Sequence, residues 1–148
     1  MNIYVVCTGN TCRSPMAEAI LNHKQLPNTT VKSAGIYAVN GAQMSEQAQV
    51  VLNEHGIAHS HRSKQLSEDD LKWATLVLTM TNAHKELILR SYPRFADKVF
   101  TLKEYVSSSS DLDVSDPFGG SVDVYRQTFN ELSQLIDKLE KLNREGHS

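Results

Sequence analysis

Asn2-Ile3-Tyr4-Val5-Val6-Cys7-Thr8-Gly9-Asn10-Thr11-Cys12-Arg13-Ser14-Pro15-Met16-Ala17-Glu18 is the stretch that decides the fold. Residues 2–6 are apolar and largely β-branched, the signature of a buried strand. From Pro15 to about Lys24 the chain is rich in helix formers, with Ser14 in the N-cap position and Pro15 at the first helical one. The residues between are therefore a strand-to-helix loop whose backbone N–H groups converge at a helix N-terminus, a geometry that cradles a phosphate or another oxyanion. The Gly-Lys-Ser/Thr ending of a nucleotide-binding loop is absent, so ATP and GTP are not the expected ligands. Instead the loop opens with a thiol, Cys7, and closes with a guanidinium, Arg13. A thiol among N–H donors, beside a cation and a helix N-terminus, is favoured as thiolate. Arginine offers a planar fork that takes two oxygens of one phosphoryl group. Singly, Cys7 reads as a small buried hydrophobe and Arg13 as a solvated charge. Together, with Gly9 and Asn10 able to take positive φ between them, they describe a phosphoryl-transfer site.

Beyond this loop the chain reads as one domain of 148 residues, long enough for a real core. The net charge of −2 and the lack of a basic run argue against nucleic acid or an anionic membrane as partner. No apolar run approaches the ~20 residues needed to span a bilayer, and the first residues carry no signal-peptide pattern. A soluble, cytoplasmic protein is expected. Both cysteines, Cys7 and Cys12, lie in the loop, so no structural disulfide framework exists. Cys12 either packs the first helix or traps an oxidised Cys7 as a reversible disulfide.

Further strands are expected at Thr29–Ala34, ended by Gly35, at Thr75–Met80 and at Lys98–Leu102. Helices are expected at Ser45–Glu54, stopped by His55-Gly56, at Leu66–Trp73 with an acidic first turn, and from Thr81-Asn82 through about Leu89. A long final helix begins near Ser121 and carries Val124, Phe129, Leu132, Leu135, Ile136 and Leu139 on one stripe. Ser107–Ser110 reads as a mobile loop, and 143–148 as a frayed end. Tyr37, in the loop after the second strand, is a candidate for the rim of the site. His55, His59 and His61 fall within seven residues, but no Cys or helical His pair joins them, so solvated or hydrogen-bonded roles are expected and no metal is assigned. Alternating strands and helices imply an α/β domain with a parallel sheet and helices on both faces. Periodicity yields four strands but not their order.

A thiolate nucleophile needs a proton donor for the leaving group, and the first loop has no carboxyl. Asp111, Asp113 and Asp116 are the candidates. Asp116 precedes Pro117, which holds it extended, and Phe118-Gly119-Gly120 leads into the last helix. An Asp-Pro-x-Gly run is equally a common turn.

Val6-Cys7-Thr8-Gly9-Asn10-Thr11-Cys12-Arg13-Ser14-Pro15-Met16-Ala17-Glu18 resembles the Cys-x5-Arg-Ser signature of the low-molecular-weight protein tyrosine phosphatases, and especially their bacterial protein-arginine phosphatase branch. Ser33-Ala34-Gly35, Leu76–Met80 and Asp116-Pro117-Phe118-Gly119 also stand where that family has matching segments. The resemblance covers nearly the whole chain, 1–148 as one domain. It implies a four-stranded parallel sheet of order 2-1-3-4, which puts the phosphate loop at a switch point. It also implies Asp116 as the general acid. Phosphate would dock on the N–H groups of Thr8, Gly9, Asn10, Thr11, Cys12 and Arg13, Cys7 would attack in line, and Asp116 would protonate the leaving atom and later activate water. Ser14 would steady the thiolate, Asn10 the loop, and no metal or organic cofactor is needed. Phosphorylated proteins are the implied substrates, and inorganic phosphate or vanadate the implied inhibitors. Threonine at Thr11, where the tyrosine branch commonly has isoleucine, resembles the arginine branch; Phe118 and Tyr37 are the other candidates for specificity. The alternatives are a phosphotyrosine phosphatase, an arsenate reductase-like enzyme, for which no downstream cysteine is present, and a non-catalytic phosphate-binding module, which would need neither Cys7 nor Asp116.

Overall fold

In the computed structural model, which describes residues 1–108 and 110–145, four parallel strands form one sheet. They are β1 (Asn2–Cys7), β2 (Thr30–Gly35), β3 (Leu76–Thr79) and β4 (Val99–Thr101), in the order β2-β1-β3-β4. The order implied by the resemblance holds. Strand alternation divides the core in two. Ile3, Val5 and Cys7 of β1, with Leu76 and Leu78 of β3, face one side. There they pack on α1 (Arg13–Lys24), α2 (Glu46–Glu54), α5 (Leu102–Val106) and α6 (Val122–Arg144). Tyr4, Val6 and Val77 face the other side, against Leu71 of α3 (Glu68–Trp73) and Ile88 of α4 (Asn82–Ser91). Burial of both faces is why β1 and β3 read as unbroken apolar runs. The stripe of α6 is real: Phe129, Leu132, Leu135, Ile136 and Leu139 are buried, joined by Tyr125, whereas Val124 is exposed. Among the described residues no helix is long and apolar enough to cross a membrane.

Several boundaries differ from expectation for identifiable reasons. Helix α1 begins at Arg13, and Ser14 is not its N-cap; Cys12 holds that position without a side-chain cap bond. The Ser14 hydroxyl is turned inward to Cys7 and Asn10, as described below, and is therefore not available to cap. Strand β4 is shorter than the run Lys98–Leu102: Lys98 closes a 3-10 turn over Pro93–Lys98, and Leu102 starts α5. Thr101 accepts from the Glu104 N–H while Glu104 accepts from the Thr101 N–H, a capping box that ends the strand. Asn143 and Arg144 belong to α6 rather than to a frayed end, and 146–148 lie outside the described residues. Of the expected Ser107–Ser110 loop, Ser109 also lies outside them.

The end of β1 carries the loop that the sequence singled out. Cys7 pairs with Gly35 across the sheet. Its carbonyl accepts from the Ile36 N–H at 3.0 Å, and the Thr8 carbonyl accepts from the Tyr37 N–H at 2.9 Å. The loop is thus fastened along the exit of β2 before it turns into α1.

Candidate active site

The loop from Cys7 to Ser14 is held from beneath by one side chain. Asn10 is wholly buried and takes φ +57°, a left-handed conformation that Asn tolerates better than most residues. Its amide is fully partnered. Its oxygen accepts from the Lys64 N–H at 2.9 Å, which fixes the amide orientation. Its nitrogen donates to Ser14 Oγ at 2.8 Å and to Ser33 Oγ at 3.0 Å. Because Ser14 Oγ accepts from Asn10, its own proton is free to donate. Cys7 Sγ lies 2.8 Å away, against 3.5 Å to the Ala34 carbonyl. The hydroxyl is therefore aimed at the sulfur, where it stabilises negative charge. Ser33 in turn donates to Glu18 Oε1 at 2.6 Å. Donors run in series from Asn10 through Ser14 toward the Cys7 sulfur.

Gly35 shows how tightly the loop is seated. A Cβ there would stand 2.5 Å from the Thr8 carbonyl oxygen, 2.8 Å from the Asn10 nitrogen and 2.9 Å from the Gly9 carbonyl carbon. Only glycine lets β2 approach the loop backbone this closely.

A cavity of about 220 Å³ opens above the loop, lined by Cys7, Thr8, Gly9, Thr11, Cys12, Arg13, Asp116 and Phe118. The structure thus brings together the thiol, the guanidinium and the carboxyl that the sequence separates by a hundred residues. Arg13 is only 5% exposed. One arm of its guanidinium donates to the Val114 carbonyl at 3.1 Å, and the other lies 3.6 Å from Asp116 Oδ2. The Val114 N–H is bonded to the Met80 carbonyl at 2.8 Å, so the acidic loop is moored to the end of β3. Asp116 Oδ1 accepts from the Phe118 N–H at 3.1 Å, which turns the chain after Pro117, while the side chain stays 56% exposed at the cavity mouth. The other two acids are engaged elsewhere: Asp111 pairs with Lys103, and Asp113 accepts from the Asn82 N–H at the start of α4.

Phe118 is 79% exposed and forms a wall of the cavity. Tyr37 is not among the residues lining it. Its backbone clips the loop at Thr8, but its side chain is exposed and borders a separate cleft with Leu66, Leu87 and Tyr92. Asn10 likewise lies under the cavity rather than in its wall. Cys12 reaches the cavity and also lies 3.2 Å from the Tyr125 hydroxyl. Burial, reinforced by that contact with Cys12, pushes the Tyr125 phenol up to about 12, so it keeps its proton at neutral pH.

His84 is a residue that sequence reasoning missed. Its Nε2 lies 2.8 Å from Thr8 Oγ1, and burial together with the nearby Arg13 charge pushes its imidazole down to about 4. It is therefore a neutral, buried ring bracing Thr8, the residue after Cys7. The signal was slight, a lone His two positions after the Asn82 that opens α4.

The three neighbouring histidines separate. His55 stacks on Phe129 with ring centroids 4.1 Å apart, and its Nδ1 lies 3.0 Å from the Val51 carbonyl. His59 and His61 instead meet Glu18 of α1, at 3.7 and 3.6 Å from Oε1. Burial pushes Glu18 up, but His59, His61 and the Ser33 hydroxyl outweigh it and hold the carboxyl down to about 2.

Residues 2–148 match the family described as low molecular weight phosphotyrosine protein phosphatase. A protein-arginine-phosphatase of Geobacillus stearothermophilus is 54% identical over 144 residues, 97% of each chain. A solved arginine phosphatase structure from that organism superposes with a TM-score of 0.94 at 52% identity, covering 97% of this chain and 94% of that one. A protein-tyrosine-phosphatase, PtpB of Staphylococcus epidermidis, is 43% identical over 139 residues, 94% of this chain and 96% of the relative. A second solved structure, of a cysteine-to-serine arginine phosphatase mutant with a phosphorylated active-site serine, superposes with a TM-score of 0.91 at 48% identity, covering 97% of this chain and 96% of that one. A thiol beside a serine hydroxyl, a buried arginine and a carboxyl meet around one cavity, and by these likenesses the chain belongs to the low molecular weight phosphotyrosine protein phosphatase family.

Proposed function

We propose that the chain hydrolyses phosphoarginine in proteins through a cysteinyl-phosphate on Cys7. The observation that carries this reading is the convergence of Cys7, Arg13 and Asp116 on one cavity, with Ser14 Oγ 2.8 Å from the sulfur. Substrate phosphate docks on the loop N–H groups and on the Arg13 fork, whose orientation the Val114 carbonyl fixes before substrate arrives. The Cys7 thiolate attacks phosphorus, the bond from phosphorus to the guanidine nitrogen breaks, and the Asp116 carboxylic proton goes to that nitrogen. Asp116, now a carboxylate, takes a proton from water as the water attacks the cysteinyl-phosphate. The S–P bond breaks, inorganic phosphate leaves, and the thiolate returns to the Ser14 hydroxyl. Every proton is accounted for within Asp116, water and substrate, so the reaction draws on no metal or organic cofactor. Inorganic phosphate and vanadate, which fit the same cradle, are inhibitors in this reading. Two unpaired thiols suit a reducing compartment, consistent with a cytoplasmic protein.

The preference for phosphoarginine rests on the 54% identity to a protein-arginine-phosphatase and on Thr11 in the cavity wall. A guanidine leaving group brings N–H donors that the Thr11 hydroxyl and the Asp116 carboxyl can accept. A phenol brings none, and a site built for hydrogen bonds penalises a ligand that leaves them unpaired. The second reading, a phosphotyrosine phosphatase, is favoured by the 43% identity to PtpB. The test is kcat/KM on matched phosphoarginine and phosphotyrosine peptides, for wild type and Thr11→Ile. The phosphoarginine reading expects at least a tenfold preference for that peptide, and a shift of threefold or more toward phosphotyrosine in Thr11→Ile. Equal or inverted preference in wild type would leave the tyrosine reading standing.

A further inference from the structure

A second cluster of donors lies beneath the loop, outside the catalytic cavity. Glu18, His59 and His61 each offer one ligand atom, and the three atoms lie within 4.8 Å of one another. His61 is oriented as a metal ligand would be. Its Nε2 is 2.8 Å from the Asn10 carbonyl oxygen, which can only accept, so Nε2 carries a proton, and Nδ1, turned to Glu18, is the atom that would take a metal ion in place of a proton. His59 Nε2 is buried with no hydrogen-bond partner. Neither ring nitrogen comes closer than 3.6 Å to Glu18 Oε1, too far for a proton to bridge as a good hydrogen bond. Ligand atoms about 2.0–2.1 Å from a tetrahedral Zn²⁺ stand about 3.3 Å apart. The 3.6 and 3.7 Å from the two rings to Glu18 Oε1 are within a few tenths of an ångström of that, and the His59–His61 pair, which lies within 4.8 Å, is the one that has to draw together on binding.

From this geometry we propose that Glu18, His59 and His61 form a binding site for a divalent cation of the zinc class, separate from the catalytic cavity. Glu18 and His61 border an open pocket of about 240 Å³ with Ser33 and Ser60, which leaves room for a water as fourth ligand. The cations at that pocket do not forbid it: Lys32 is paired with Asp70, and Arg62 and Lys64 are solvent-exposed. His61 carries the hydrogen bond that makes the site matter. Fixing its ring fixes its bond to the Asn10 carbonyl, and Asn10 in turn holds Ser14 and Ser33. The bound ion would clamp the phosphate loop from below without touching substrate. The site is independent of whether the substrate is phosphoarginine or phosphotyrosine.

Thiols also bind zinc, so the test uses Cys7→Ser/Cys12→Ser protein. Titration with Zn²⁺, and with Co²⁺ read by its visible absorption, should give one ion per chain. The Co²⁺ spectrum should be of N/O character, without thiolate charge transfer. His59→Gln and Glu18→Gln, each in that background, should weaken binding at least tenfold. Zn²⁺ at a hundredfold excess over its Kd should raise Tm by about 5–10 °C. Should either variant fail to fold, the imidazole ¹⁵N resonances of His59 and His61 in the folded parent decide, and both should shift on Zn²⁺ addition. The proposal is overturned by any of three results: no saturable binding below about 1 mM, binding that disappears with the two cysteines, or binding that survives both ligand substitutions with the His59 and His61 resonances unmoved.

Discussion

Gly35 of β2 and Thr8 of the phosphate loop are in van der Waals contact through backbone alone, with a Cβ on Gly35 falling 2.5 Å from the Thr8 carbonyl oxygen. The strand and the loop are therefore one rigid unit, and the height of the N–H cradle above the sheet is set by the absence of a side chain at residue 35. Gly35→Ala should push the loop away from β2. Overpacking against backbone costs about 1–3 kcal/mol, so Tm should fall by several degrees. kcat/KM should fall by at least tenfold, because cradle and Arg13 no longer meet phosphate together. Calorimetry and peptide kinetics on this one variant check both, and unchanged kinetics would mean that the loop does not depend on Gly35 for its position.

His84 makes stability depend on pH in a stated direction. Its ordinary value near 6.5 is lowered to about 4 in the folded protein. Between those values the unfolded chain takes up a proton that the folded one refuses, so this contribution is complete above pH 6.5 and is lost as pH falls toward 4. Glu18, lowered from 4.5 to about 2, continues the loss below pH 4.5. Urea unfolding of wild type and His84→Asn at pH 7, 5.5 and 4.5 should show the variant with a flatter decline. The difference should be a fraction of the one-proton limit of about 1.4 kcal/mol per pH unit. Parallel declines would remove His84 from the account.

Cys12 shares the cavity with Cys7 and touches Tyr125. Brief peroxide treatment should inactivate the protein reversibly, with mass spectrometry showing a Cys7–Cys12 disulfide that dithiothreitol reverses. Cys12→Ser should instead accumulate sulfinic and sulfonic Cys7 and fail to recover. Irreversible oxidation of Cys7 in wild type would leave Cys12 as a packing residue against Tyr125.

What was legible in the sequence was local. The strand–loop–helix at Asn2–Lys24 could be read because its cues are adjacent: an apolar run, Gly9-Asn10, then Pro15. The capping box Thr101-Leu102-Lys103-Glu104 was equally local, but the apolar run of residues 98–102 masked it: Leu102 reads as the end of the strand, and the rest of the short α5 is not anticipated. Ser14 had the residue type and place of an N-cap; only the buried Asn10 and Cys7 beside it show why its hydroxyl faces inward. The pairing of Glu18 with His59 and His61 spans some forty residues and depends on how α1 lies against the segment after α2. No spacing rule reports such a contact. His84 belongs with these, since its relation to Thr8 exists only once β1 and β3 are side by side.

The central claim, a phosphoryl group carried on Cys7 with Asp116 moving the proton, is tested most directly by rapid quench of Asp116→Asn with an activated aryl phosphate, whose leaving group departs without a proton from Asp116. General acid–base help is worth about 10²–10⁴-fold, and without it the water attack slows, so the intermediate should build up. Peptide mapping should find close to one phosphoryl group per chain, on Cys7, while Cys7→Ser neither turns over nor releases phosphate at a tenth of the wild-type rate. Steady turnover by Cys7→Ser, or phosphate trapped on any residue other than Cys7, would contradict the account.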